Sequence, residues 1–359
     1  MTQAQIELAG LSRQILTDRA TPDRLAALER AGLGFDEALW ADLAGAGVLA
    51  AALPDGIGDG YGLAEQCSIL IEVGRAVAPV PYLESIACGA AAIARFGTQE
   101  QIGKYAATAA TGELVITVAL AEPSGSAATA ADPTSDGWLL TGTKTAVPAG
   151  AGAGVFLVPA RTPDGTAVFC VESADHGVTV EPQDLVTGHG AAQLQLAGVA
   201  LGQDRLLGAG DEIVAWLTAR ATVGLCALQF GTAQRALELT ADYAKTREQF
   251  GRPIGAFQAV AQRLADAYID VEAIRLTLWQ AAWRLETGLP AEAEIATAKF
   301  WAAEGGHRVA HTAVHVHGGV GIDVSHPVHR YFAAAKRQEF ALGGATAQLL
   351  RLGDALVAG

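Results

Sequence analysis

A change of periodicity in the middle of the chain constrains its fold more than any other feature. Between Leu114 and Leu207 the helical spacing found on either side gives way to short Val/Thr/Leu-rich runs: LVITVAL, GWLLTGTKTAV, GVFLVPA, AVFCVES, GVTVEP and AAQLQLAGVAL. Turn residues separate them, and this spacing predicts the strands of a sandwich or barrel. Strands gathered in one block between two helical regions point to a β-domain set between α-domains, not to an alternating βαβ sheet. The expected division is an N-terminal α-helical domain over 1–113, a middle β-domain over 114–207 and a C-terminal four-helix-bundle domain over 208–359.

In the first region Leu25, Leu28, Leu33 and Leu39 fall at loose helical spacing, and Cys67 to Val77 forms a longer amphipathic run. GIGDGYG, Gly56 to Gly62, follows a helix and Pro54 rather than a strand, so it reads as a connecting loop and not as a dinucleotide fingerprint. In the last region Ile213, Trp216, Leu217, Val223, Ala227, Phe230 and Leu237 are spaced for one long, largely buried helix. A second helix is expected from near Ala256 to about Glu286, stopped by Thr287-Gly288-Leu289-Pro290. A third runs to about Val316, Gly318-Gly319-Val320-Gly321 breaks the chain, and a last helix reaches Leu356, which is a four-helix-bundle pattern.

The chain has 359 residues, 51% hydrophobic and 17% charged, enough to bury a large core. Mean hydropathy is +0.27, yet no stretch of about 18 apolar residues runs free of Gly, Pro or charge, so no membrane span is expected. MTQAQIELAGLSRQ lacks a basic start followed by an apolar run, which leaves the cytoplasm as the expected compartment. A net charge of −14 argues against a nucleic-acid or anionic-lipid partner, so any phosphate must be met locally. Cys67, Cys88, Cys170 and Cys226 are scattered without CxxC pairs and read as buried reduced thiols.

The densest local chemistry lies in YAKTREQFGRPIGAFQ, Tyr243 to Gln258. It reads as a helix end, a tight turn and a second helix start. Arg247, Gln249 and Gln258 offer donors and acceptors beside Phe250 and Phe257, a composition suited to an anionic, partly planar ligand.

This stretch with its RxQFGxPIxxFQ, AEPSGS at Ala121 to Ser126 and HVHGGVG at His315 to Gly321, in an α–β–α order, resemble the acyl-CoA dehydrogenase family over essentially the whole chain. The resemblance implies FAD, with the isoalloxazine against one subunit's β-domain and the pyrophosphate and adenosine held by a neighbour. The segments that reach across match Arg247 to Gln258, including Gln249, Phe250, Ile254 and Phe257, and His315 to Gly319. Chemically this is sensible: an Arg fork suits a pyrophosphate, and Gly318-Gly319 lets backbone amides approach an anion. His315 stands where the family usually has Gln.

The family's reaction takes the α-proton of an acyl-CoA thioester with a glutamate while the β-hydrogen leaves as hydride to the flavin. The two places where family members carry that glutamate match Ala219 and Leu342 here. Glu339 is the nearest substitute, its alternative reading being a salt-bridged helix residue. The family's ring-facing aromatic and hydroxyl positions match Ala146, Val147 and Pro148. With base and ring-facing residues gone and the reaching residues kept, the chain resembles the non-catalytic subunit of actinobacterial heteromeric acyl-CoA dehydrogenases of steroid catabolism, in which an α2β2 tetramer carries flavin and base on one subunit type. The implied partners are a catalytic paralogue, a bulky acyl-CoA and an electron-transfer flavoprotein. Two alternatives are a self-sufficient homo-oligomeric dehydrogenase using Glu339 and a structural subunit that binds no flavin.

His307, His311 and His315 fall at i, i+4 and i+8 of one helix, but no carboxylate or Cys completes a metal set, and none is expected. His326 and His329 flank Pro327 in a loop, and Asp323 could cap or receive Arg330. PSGSA lacks the form and strand-to-helix context of a nucleophile elbow.

Overall fold

A computed structural model describes residues 2–123 and 128–358, so Ser124, Gly125 and Ser126 of the AEPSGS stretch lie outside the described residues. The contacts divide the chain into two units, one from 23–62 and 79–221, the other from 1–22, 63–78 and 222–359.

The first unit is organised by a mixed sheet. Its strands are β1 (Ile116–Val118), β2 (Ala130–Pro133), β3 (Gly137–Val147), β4 (Val155–Thr162), β5 (Gly165–Glu172), β6 (Val178–Leu185), β7 (Gly188–Gly202) and β8 (Leu206–Ala209). Their order is β6-β7-β3-β2-β4-β5-β8, and β1 lies parallel against β4. All six Val/Thr/Leu runs fall on strands. The AADP of β2 and LLGA of β8 are additional strands, too short to show an alternation. β4 and β5 read as nearly continuous apolar runs because both of their faces are covered, and Phe156, Val158, Phe169 and Val171 sit in the core with Leu140 and Val199.

Helices of this unit follow local signals. Asp36 caps Glu37–Gly45 by accepting from the Leu39 N–H at 3.2 Å, and Arg24 grips the same carboxylate through two bonds of 2.9 and 2.7 Å. Leu33 lies outside any helix, in the turn before this cap, and is exposed. Tyr82–Ala90 is wound as a π-helix, and its Gly89 abuts β1 so closely that a Cβ would stand 2.6 Å from Ile116 Cγ2. GIGDGYG is a loop of turns, with Gly58 against the Ala50 carbonyl.

The second unit holds Gln3–Arg19, Leu63–Ala76, the long helix Asp211–Thr246 from Thr222 onward, Gln258–Glu286, Glu292–His317, Val328–Phe340 and Ala345–Ala358. Leu63–Ala76 crosses the long helix at two glycines. A Cβ on Gly74 would stand 2.2 Å from the Leu228 carbonyl oxygen and one on Gly231 would stand 1.9 Å from that of Ile71, so the backbones touch. Arg13 binds Glu72 through bonds of 2.9 and 2.7 Å, and Arg75 reaches Glu238 at 2.8 and 2.9 Å. By length and composition the long helix could cross a membrane, and half of its most apolar window is buried inside the protein, as in a core helix.

The segment after the Gly-Gly break corrects the sequence reading: it holds two helices instead of one. Val328–Phe340 stops at Ala341, and Leu342 (φ 57°) and Gly343 (φ 98°) turn left-handed before Ala345–Ala358 begins. The cause is a distant side chain. Lys299, fully buried, donates to the carbonyls of Gln338 (2.9 Å), Glu339 (3.0 Å) and Gly343 (3.2 Å), while Gln348 donates to those of Leu342 (3.0 Å) and Gly343 (3.1 Å). These bonds satisfy carbonyls that the helix end leaves open. All four cysteines are buried and none is in a disulfide, and burial pushes the thiols of Cys88, Cys170 and Cys226 up to about 12, which leaves these three unreactive.

Candidate functional site

The long helix ends at Thr246 and the chain makes a two-stranded ribbon, β9 (Glu248–Gln249) with β10 (Arg252–Pro253), in which Gln249 pairs with Arg252. The two linking residues, Phe250 at φ 54° and Gly251 at φ 75°, both adopt the positive φ that a tight primed hairpin turn requires. Gly supplies this without cost, whereas Phe does not. The turn holds Phe250 outward, 94% exposed, with its ring edge-on to Phe257 at 6.2 Å. Arg252 covers the Phe257 ring at 4.2 Å, and the Ile254 N–H returns to the Arg247 carbonyl at 2.8 Å, closing the base of the ribbon. Among the described residues no acid pairs with the Arg247 guanidinium.

Opposite the ribbon, Glu292–His317 ends at Gly318, whose φ of 63° and ψ of −141° lie outside the range of ordinary side-chain-bearing residues. His317 is 4% exposed. Its Nδ1 lies 2.8 Å from the Ala313 carbonyl and its ring stacks on Tyr243 at 4.3 Å and 23°. The carbonyl fixes the proton on Nδ1 and leaves Nε2 as an acceptor. Burial holds the imidazole below its ordinary pKa, so it is neutral at pH 7.

Between these two elements lies a cavity of about 550 Å³. Arg247, Gln249 and Ile254 line it from the turn, and Gly318 and Gly319 from the helix end. Five expected residues are thus brought together. Phe250, Phe257, Gln258 and His315 are not part of the lining, and His315 is exposed on its helix. Tyr243, His317 and Asp323 also line the cavity, and none of them is among the residues expected to touch a cofactor. The only local hint was the second His of HVHGG, directly before the glycines. An unpaired guanidinium beside a Gly-Gly backbone in a cavity of this size fits a diphosphate-bearing ligand, the group that FAD would present.

The expected catalytic positions lack acid. Ala219 is half-buried on the long helix, and its neighbour Arg220 donates to the Ala87 carbonyl at 3.0 Å and lies 4.7 Å over Trp216. Leu342 occupies the left-handed turn. The Glu339 carboxylate accepts from Lys336 at 2.8 Å and lies 3.2 Å from His307 Nδ1. In the sheet, Ala146 is left-handed (φ 48°) and its N–H donates to Gln183 Oε1 at 2.7 Å; Val147 is buried, and the Pro148 carbonyl accepts from Thr117. Glu122, of the AEPSGS stretch, is buried against Lys144 at 2.5 Å and accepts from the backbone of Ala128 and Thr129. Asp323 caps its own turn by accepting from the Ser325 N–H and Oγ, both at 2.8 Å. The rings of His307 and His311 lie 4.3 Å apart, tilted by 32°, but no group of three metal-ligating side chains occurs among the described residues.

Fold and sequence together define the class: the chain belongs to the acyl-CoA dehydrogenase family of FAD-dependent oxidoreductases, since the patterns of that family's N-terminal and C-terminal domains match residues 2–113 and 208–357. Among individual relatives it is 48% identical to acyl-CoA dehydrogenase FadE27 of Mycobacterium tuberculosis, over 99% of this chain and 97% of that protein. Among solved structures it superposes on a chain of the ChsE4-ChsE5 complex from the same organism with a TM-score of 0.98 and 48% identity, covering 100% of this chain and 98% of that one. A chain of the Tcur3481-Tcur3483 steroid ACAD G363A variant gives 0.92 and 43%, covering 99% and 98%.

Proposed function

We propose that this chain is the non-catalytic subunit of a cytoplasmic heterotetrameric acyl-CoA dehydrogenase, organised as an α-domain (1–113), a β-domain (114–207) and a bundle domain (208–359). It holds part of an FAD whose reactive ring and base belong to a catalytic paralogue. The observation that carries this reading is a coexistence: no carboxylate at Ala219 or Leu342, yet Arg247, Gln249, Ile254, Gly318 and Gly319 around one cavity. An enzyme that had lost its role altogether would have no reason to keep the second set. Phe250, outside the cavity and in water, supports contact across an interface, and Phe257, Gln258 and His315 are assigned to the same contact. The ChsE4-ChsE5 relative is a complex of two proteins, and the Tcur3481-Tcur3483 relative is titled a steroid ACAD, which supports a paralogous partner and a bulky, steroid-bearing acyl thioester.

When bound, the flavin accepts the hydride from the thioester; the residues of this chain position its anionic half and keep that half from water. An electron-transfer flavoprotein is the proposed electron acceptor. The geometry gives the displaced-base alternative no support, because Glu339 is tied to Lys336 and adjoins His307. The test is to purify the chain alone and with its paralogue, measuring flavin absorbance and dye-coupled turnover. FAD and turnover are expected only in the complex; stoichiometric FAD with turnover from the chain alone would sink the proposal. Arg247→Ala in the complex should weaken FAD binding roughly 10- to 100-fold, the worth of one hydrogen-bonded charge contact. Glu339→Gln should leave turnover unchanged.

A further inference from the structure

The helical unit buries polar groups that its own packing does not satisfy. Gln229, on the long helix, is fully buried, and among the described residues neither its Nε2 nor its Oε1 has a hydrogen-bond partner. The facing helix Glu292–His317 makes room for this amide with a glycine: a Cβ on Gly306 would stand 1.6 Å from Gln229 Nε2. Gln338, on Val328–Phe340, is buried as well. Its Nε2 donates to Thr232 Oγ1 at 3.4 Å and its backbone carbonyl accepts from Lys299, but its Oε1 has no partner among the described residues. Thr232 follows Gln229 by three residues, which puts the two on one face of the long helix about 5–6 Å apart. Two amides from two helices therefore meet in one small region of the core, with the Nε2 hydrogens of Gln229 and two oxygens left over.

Orphaned amide groups are expensive to bury, so a partner of matching chemistry is required. It must donate to two oxygens and accept from one N–H. A metal cation cannot accept from the N–H, and an anion cannot donate to the oxygens. Water can do both, with two hydrogens to give and two lone pairs to receive. We propose that Gln229 and Gln338 bind an ordered internal water that donates to both side-chain oxygens and accepts from Gln229 Nε2. This water joins the long helix to Val328–Phe340, and Gly306 is the residue that admits the amide to the site. The site lies apart from the residues assigned to flavin and does not depend on that role.

The experiment uses the full-length protein. In crystals that resolve ordered solvent, wild type should show a solvent peak about 2.7–3.2 Å from Gln229 Oε1 and from Gln338 Oε1, and Gln229→Leu should lose it. In urea titrations Gln229→Leu and Gln338→Leu should each lower the folding equilibrium constant about tenfold, as stranding a buried partner does. The double variant should lose clearly less than the roughly hundredfold that independent sites would give, because one water serves both amides. A wild-type structure with both amides ordered and no peak between them, or with the two amides bonded directly, overturns the proposal. So does a Gln229→Leu variant more stable than wild type, which is the sign expected when an unpaired group is removed from a dry core. If that variant does not fold, the wild-type peak decides alone.

Discussion

Lys299 is the residue whose chemistry departs furthest from its ordinary behaviour. Desolvation pushes its ammonium down to about 8 from 10.5, although three carbonyls surround it. A lysine depressed in the native state opposes folding while both states hold the proton, below about pH 8. From there to 10.5 the native chain releases its proton while the unfolded chain keeps it, so stability rises with pH across that window. Lys299→Met should cost about 1–3 kcal/mol at pH 7, because it leaves the carbonyls without donors. In urea titrations the margin of wild type over this variant should grow by about 1.4 kcal/mol per pH unit above 8; a margin independent of pH would contradict the assignment. Glu122→Gln should cost roughly 3–5 kcal/mol by leaving Lys144 buried without its counterion, read by the same titrations at pH 7. Arg247 and the Gly318-Gly319 pair were legible in the sequence because short contiguous motifs carry them. The pairing of Tyr243 with His317 was not, because it joins residues from two helices whose approach no local pattern encodes.

At the scale of elements, the hairpin at Phe250 trades backbone comfort for exposure. A Phe at φ 54° pays a left-handed penalty of roughly 1 kcal/mol that Asn largely avoids. Phe250→Asn should therefore leave the isolated chain as stable as wild type or slightly more so, while weakening its association with the proposed catalytic partner in analytical ultracentrifugation. Equal affinity for the partner would remove Phe250 from the interface. Gly231→Ala should lower the urea midpoint by the equivalent of about 1–3 kcal/mol, since its Cβ would enter the Ile71 carbonyl. The long helices and the six principal strands were legible because period 3.6 and Val/Thr-rich runs are local signals. The break after Phe340 was not, since a leucine in a left-handed turn carries no sequence mark and its support comes from Lys299, on another helix. β2 and β8 were missed for a similar reason: their pairing comes from β3, β4 and β5 rather than from their own four residues.

For the whole molecule, the decisive property is that neither unit is a continuous piece of chain. A fragment of residues 208–359 lacks Gln3–Arg19 and Leu63–Ala76, and with them Gly74 at the crossing and Arg75, one of the two arginines that bind Glu238. Expressed alone, it should be poorly cooperative in thermal melts monitored by circular dichroism, and adding residues 1–113 in trans should sharpen the transition. A sharp, reversible melt of 208–359 alone would show that the helices contribute little. The same interleaving sets a timetable on the ribosome. Gln3–Arg19 and Leu63–Ala76 emerge early and can pair through Arg13 and Glu72, but Gly74 has no counterpart until Leu228 and Gly231 have been made. Most of the sheet unit is synthesised in that interval, so it should complete first while the N-terminal helices wait for the second half of their own core, and pulse-labelled amides of β4 and β5 should gain protection before those of Leu63–Ala76.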